Sequence, residues 1–476
     1  MKKILPLLLF FLLAGMFLVW SAMQPRAHFV HLDGNQFRLN GKNFYPLVLN
    51  YEVSLQANGK ELWAAPYLGY RDSAGHPFKS KDSCLAQLRN DMRRVHEMGF
   101  NTVRLVGIGE EKVNKPTGAL SLRPVVRFHE DSLVELKSDE DYRKYFKALS
   151  ELFGIINQSG LKAILLTRVM PGVASTEDHL VRLAERFKED STIMAYDLFN
   201  EPLYFDTLDR EKKDVFHLTK DWNRKFKKHA PDQLLTIGLV GIREVFEWDP
   251  NAMNVDFLSF HPYEFEPGQV KNEMYWFSQY VKKPWIIGET GLPADNDSVP
   301  YSEQKKFAEE TMQYGYDCGD AGYSWWQYKD VNWKLFHASF LGVINRHGEP
   351  KPVVEAFQAF RVPPQRKTPE QLPNYFNYSK CTKYRITGKL VDQQNQPLVG
   401  GVIMGWDITW LKTVVTVSKA DGTFELYSDW PMYHFIASST LHAVTKGDLK
   451  PEEGKESSTE THTIDVGNLQ LWEIYF

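Results

Sequence analysis

The sequence predicts an α/β fold: a (β/α)8 TIM barrel followed by a small all-β sandwich domain. Eight short apolar runs alternate with amphipathic, helix-like stretches through most of the chain. Two of those runs stop on a glutamate, Glu201 and Glu289, where a barrel opens its reactive face. Beyond residue 383 the pattern changes to short alternating strands broken by turn residues. A doubly wound sheet would also alternate, but no glycine-rich loop opens a helix as a nucleotide fold needs.

In chain order, Lys2 and Lys3 precede the almost wholly apolar run 4–20, which reads as an export signal. Residues 1–27 are expected to be either a cleaved signal peptide or an uncleaved N-terminal membrane anchor. Either way the remainder is placed outside the cytoplasm, because the lysines stay inside. Residues 28–360 are assigned to the barrel. Residues 37–44 read as a hairpin turning on Asn40-Gly41. Barrel strands are expected at 45–50, 101–106, 161–167, 194–199, 234–239, 257–260, 285–288 and 322–326. Between them lie helical stretches at 81–98, 139–159, 176–188, 209–229, 271–281 and 302–317, and a last one follows at 352–360. The first carries the stripe Leu85, Leu88, Met92 and Val95, with Asp82 or Ser83 as cap and Gly99 as stop. Ser302 is the expected cap at 302–317. Residues 361–382, proline-rich and aperiodic, form a linker, and 383–476 the sandwich, with Asp421-Gly422 as a hairpin turn.

A formal net charge of -4 gives no reason to expect a nucleic acid partner. Aromatic residues make up 14% of the chain, enough for a large core and for sugar-stacking surfaces as well. The three cysteines, Cys84, Cys318 and Cys381, have no metal-like spacing.

The strand ends carry the chemistry. Asn200-Glu201 closes strand four, and Pro202 forbids further ladder bonding. Glu289, between Gly288 and Thr290-Gly291, closes strand seven in the same way. Two glutamates ending buried strands suit glycosidic bond cleavage, one as general acid and base and the other as nucleophile. Arg104 lies inside an apolar strand and must be paired there. Its expected role is to hold Glu289 ionised. His261 and Tyr263 end strand six, and Tyr263 is placed to donate to the nucleophile. Of Trp325 and Trp326, alternation sends one into the core. Trp326 is taken as the platform for a sugar ring.

Taken in this order, Arg104, Asn200-Glu201-Pro202, His261-Pro262-Tyr263, Gly288-Glu289-Thr290-Gly291 and Trp326 resemble glycoside hydrolase family 5, the cellulase-like retaining enzymes. The resemblance covers roughly residues 37–360. It implies that Glu201 is the acid/base and Glu289 the nucleophile. It also implies that Asn200 binds the sugar 2-hydroxyl, and that Arg104, His261, Tyr263 and Trp326 line the cleaving subsite. Thr167-Arg168 departs from the family, which often has a histidine there, so the pocket is expected to be altered. The C-terminal segment resembles the carboxypeptidase regulatory-like sandwich through 386–392, 396–398 and 420–424, which implies an exported bacterial protein and no catalysis.

The expected reaction is double displacement on a β-linked glucan or mannan, with no metal and no organic cofactor. Glu201 is expected to have its pKa raised by the neighbouring negative charge, and the two carboxyls to lie roughly 5–5.5 Å apart. Three alternatives stand beside it: a transglycosidase using the same two glutamates, in which an acceptor sugar intercepts the intermediate; a silent glycan-binding surface protein, against which the intact pair Glu201 and Glu289 argues; and a structural barrel of an envelope assembly with the sandwich as the functional module. The long segments 51–80 and 107–135 are expected to wall the cleft and favour short oligosaccharides.

Overall fold

The computed structural model describes residues 26, 28–58, 60–67, 69–72, 74–107, 111–113, 120–122, 134–206, 209–372, 381–451 and 461–476. The expected export segment, most of 107–135 and much of the linker lie outside these residues.

Eight parallel strands form the barrel: β1 (Leu47–Ala57), β2 (Thr102–Val106), β3 (Lys162–Leu166), β4 (Ile193–Asn200), β5 (Leu234–Leu239), β6 (Leu258–Phe260), β7 (Trp285–Ile287) and β8 (Tyr323–Trp325). Each pairs with the next, and β8 pairs with β1 to close the ring. The outer helices are α1 (Lys81–Glu97), α2 (Asp139–Gln158), α3 (Ala174–Phe187), α4 (Lys212–Lys227), α5 (Gln269–Tyr280), α6 (Tyr301–Asp317) and α7 (Val353–Ala359). The expected stripe of α1 is buried, together with Cys84 and Asp91. Its cap is Ser80, not Asp82 or Ser83: Ser80 and Ser83 exchange hydrogen bonds in a capping box. Helix α6 starts one residue before Ser302, behind Pro300, with no side-chain cap. The hairpin Gln36–Leu39 and Lys42–Phe44 turns on Asn40 and Gly41, both left-handed, as a tight two-residue turn requires. Its Phe37 packs with Val48, Ile164, Met194, Phe257 and Ile286, which plugs the N-terminal end of the barrel.

Strand β1 is longer than the expected 45–50, and one outer helix is missing where the helical pattern of the sequence also has a gap. Strand β1 continues to Ala57 and folds back on Leu62–Pro66, so the start of the long first loop is a ribbon. Between β5 and β6 there is no α-helix, only the 3-10 turn Ile242–Phe246.

The C-terminal strands are β9 (Tyr384–Val391), β10 (Val402–Trp406), β11 (Thr413–Val417), β12 (Thr423–Ser428), β13 (His434–Ser438), β14 (Thr445–Asp448) and β15 (His462–Gln470). They form two sheets, β12-β9-β15 and β11-β10-β13-β14, around Ile386, Leu390, Ile403, Phe424, Leu426 and Phe435. Strands β10 and β13 lie against the 3-10 turn, and Val402, Met404 and Val417 join the barrel's own core. The sandwich therefore fills the gap that a fifth outer helix would fill. Polar contacts pin it there. Buried Lys212 of α4 donates to Asp249, Ser438 Oγ and the Ser439 carbonyl at 2.8–2.9 Å. Trp276 of α5 donates to the Gly400 carbonyl at 2.9 Å.

Candidate active site

Strands that run parallel end on one face, and the polar strand ends meet there. Arg104, in the middle of β2, is 1% exposed. Its Nε donates to Asp197 Oδ2 at 2.9 Å. Its Nη1 donates to Asn50 Oδ1 at 3.0 Å and Glu289 Oε1 at 2.5 Å, and its Nη2 to Asn200 Oδ1 at 2.7 Å. The buried cation is thus paired with two carboxylates, which offsets its desolvation. Asn50 stands beside Arg104 in register and spends its amide on the Gly288 and Trp325 carbonyls and Ser324 Oγ.

Strand β4 presents both Asp197 and Glu201 because it carries one extra residue. Asp197 pairs with Thr236, yet Asn200, three residues on, pairs with Gly238, two residues on. Such a bulge re-aims side chains at a strand end. Glu201 then sits in the left-handed region, with φ 49°, its N–H donating to the Gly238 carbonyl at 2.7 Å. Pro202 starts a short helical turn to Phe205.

Glu289 accepts from Arg104 and, on its other oxygen, from the Tyr263 hydroxyl at 3.0 Å. Burial raises the Glu289 carboxyl above its ordinary pKa, and the Arg104 charge and the Tyr263 hydrogen bond oppose that rise. Glu201 is raised chiefly by burial, with Arg104 opposing. The expected cause, the neighbouring carboxylate, is replaced by desolvation. His261 lies 3.1 Å from Glu201 Oε1 through Nδ1. Burial pushes its pKa down to about 4, so it is neutral at pH 7 and adds no cation beside Glu201. Two glycines make room for the ring. A Cβ at Gly238 or at Gly288 would come within 3 Å of it.

One oxygen of Glu201 and one of Glu289 lie within 4.8 Å of each other, with a His261 nitrogen in the same group. That trio is within reach of a single metal ion, but the Arg104 guanidinium already balances Glu289. Both carboxyls are raised by burial, but only Glu289 is held by a guanidinium and a phenol. Trp326 is half-buried, and its N–H donates to the Thr290 carbonyl next to Glu289. Trp325 is buried and donates to the Leu341 carbonyl at 2.8 Å. Thr167 donates to the Asp197 carbonyl through its N–H and its hydroxyl, and the Arg168 guanidinium stacks 4.9 Å from the Phe205 ring centre.

The structure brings all seven residues proposed from the sequence to this face. It adds Asn50, Asp197, Gly238 and Gly288. Asp197 carried the same signal as Arg104, a charge inside an apolar run. Gly288 stood in the motif around Glu289 without its role being legible, and Gly238 and Asn50 carried no signal, because their role is to leave space or to bridge strands distant in sequence.

The model of the cellulase family (glycosyl hydrolase family 5) matches residues 70–330. Among solved structures, an exo-beta-1,4-mannosidase from Opitutaceae bacterium strain TAV5 is similar at 16% identity and TM-score 0.48, over 71% of this chain and 62% of that one. The family 5 mannosidase of Rhizomucor miehei is similar at 15% identity and TM-score 0.47, over 70% of this chain and 96% of that one. A Bacteroides uniformis beta-glucuronidase 2 is similar at 13% identity and TM-score 0.47, over 92% of this chain and 48% of that one. The chain thus spans 62% of the first of these proteins and about half of the third. No protein of curated function matches it.

Proposed function

The chain belongs to glycosyl hydrolase family 5, and from that membership we propose that it is a retaining β-glycosidase acting by double displacement. One observation carries the reading: Glu201 and Glu289 approach within 4.8 Å. Retaining enzymes hold their carboxyls at about 5–5.5 Å, and inverting ones leave room for a water at about 6.5–9.5 Å.

Glu289 attacks the anomeric carbon while Glu201 gives its proton to the leaving oxygen. The glycosyl–Glu289 ester forms and the glycosidic C–O bond breaks. Glu201, now a carboxylate, takes a proton from water, and that water displaces Glu289 to release a sugar of unchanged configuration. Arg104 and Tyr263 hold Glu289 as an anion in the attacking orientation. In this reading Asn200, tied to Arg104, binds the 2-hydroxyl, and the half-buried Trp326 takes the ring face.

The substrate class we propose is a β-linked glucan or mannan, taken as short oligosaccharides. The first loop supports the length, because Tyr70 of that loop donates to Gln327 at 2.9 Å and Tyr67 accepts from Trp333 at 3.3 Å, so it reaches the segment after β8. The lysines and apolar run at 2–20 support placement outside the cytoplasm. Proton NMR of the first-formed product from β-glucosides and β-mannosides tests the mechanism. The β-anomer should appear before mutarotation, whereas an α-anomer first would show inversion and overturn the reading.

A further inference from the structure

A cavity of about 190 Å³ opens beside Glu201 and runs away from the catalytic pair toward β5 and β6. Glu201, His261 and Tyr263 are among its lining residues, while Glu289, Asn200 and Trp326 are not. In the glycosidase reading the general acid stands on the side of the oxygen it protonates, which is the side of this cavity. Arg243 also lines it, from the 3-10 turn that stands in place of the fifth helix.

We propose that this cavity binds the leaving sugar and that Arg243 selects one bearing a carboxylate, a uronic acid. The inference rests on the glycosidase reading and adds a substrate class to it. Arg243 is half-buried, and its guanidinium makes no hydrogen bond or close ion pair among the described residues. The charge of Arg243 acts on Glu273 across the cavity, but no hydrogen bond takes up the guanidinium, and its planar fork matches a carboxylate.

The nearby acids are committed elsewhere. Glu273 accepts from Gln269 Nε2 at 3.0 Å and from the Ile242 N–H at 3.4 Å. Glu244 accepts from the Leu203 and Val240 N–H groups at 3.1 and 3.3 Å. Both are buried, and burial raises both carboxyls, Glu244 to about 8. They hold the turn in shape, and neither forms an ion pair with Arg243. Tyr204 and Phe265, 56% and 64% exposed, flank the cavity and offer apolar faces to a sugar ring.

The test uses two aryl β-glycosides with the same sugar, whose leaving phenols carry a 4-carboxylate or a 4-carboxamide. The full-length protein should favour the carboxylate by about tenfold or more in kcat/KM, the size of a charged hydrogen-bonded pair. Arg243→Gln should bring the ratio near one, and Arg243→Lys should leave part of it. Hydrolysis of both glycosides at equal efficiency would overturn the acidic subsite and leave the glycosidase reading standing. Absence of hydrolysis of either would instead strike at that reading. Calorimetric titration with glucuronate, glucose and glucose 6-phosphate reads the cavity without turnover. Glucuronate should bind tighter than glucose, and Arg243→Gln should abolish the difference. Equal binding of the two sugars overturns the proposal, and tighter binding of the 6-phosphate overturns the assignment to a carboxylate.

Discussion

Arg104 holds the site together at the scale of single residues. It neutralises Asp197 and Glu289 at once, and all three are buried. Arg104→Met should therefore cost about 3–5 kcal/mol of stability in urea unfolding, because two carboxylates lose their cation inside the barrel. A loss under about 1 kcal/mol would mean that the pair is solvated or protonated instead. Glu201 makes a different demand. In Glu201→Gln the first step should slow about 10²–10⁴-fold for a leaving group that needs a proton, and little for dinitrophenolate. The second step, now without its base, should let a glycosyl-enzyme accumulate, visible as added mass on intact protein. Equal slowing of both leaving groups with no added mass would remove Glu201 from the acid/base role.

The 3-10 turn after β5 is the element on which the leaving-group side depends. Glu244 ties it to the chain just after Glu201 through Leu203 and to the end of β5 through Val240. Burial raises the Glu244 pKa from its ordinary 4.5 to about 8. Between those values the folded protein binds more protons than the unfolded chain, so stability falls as pH rises. The contribution is complete below pH 4.5 and lost as pH climbs through 8. Glu244→Gln keeps an acceptor for both N–H groups but cannot titrate. Its melting temperature should decline less between pH 5 and 8 than that of the wild type. Parallel melting profiles would show that Glu244 is ionised throughout that range.

At the scale of the whole molecule, the C-terminal sandwich is part of the barrel's wall. It covers the flank that the missing helix leaves bare, and Lys212, Asp249 and Trp276 lock it in place. The two parts approach closely at Gly400, whose φ is +74° and where a Cβ would lie 2.0 Å from the Tyr280 ring. Gly400→Ala must therefore strain the backbone and push the sandwich off α5. The expected cost is about 1–3 kcal/mol or more in chemical denaturation, with the loss reduced when Tyr280→Ala is added. Wild-type stability in the single variant would mean that the two parts touch without mutual support. Because β10 and β13 lie against the turn carrying Arg243, loosening this contact should also weaken the preference for an acidic leaving group.

Apolar periodicity alone determined the barrel, its strand positions to within a few residues except for the far end of β1, and the ends on which Glu201 and Glu289 stand. Burial pattern is a local property, and a charge or proline that interrupts it is visible in one dimension. Arg104, His261 and Tyr263 were legible for the same reason: a polar group inside an apolar run needs a partner. Only the tertiary structure decided which partners those are. Asn50 and Asp197 reach Arg104 from other strands, and the bulge that turns Asn200 and Glu201 inward exists only as a register between β4 and β5. The raised pKa of Glu201 comes from desolvation, and Arg243 stands at a cavity because the sandwich takes the place of a helix. Desolvation, register and empty volume belong to pairs of elements that meet in space, so no stretch of the chain carries them by itself.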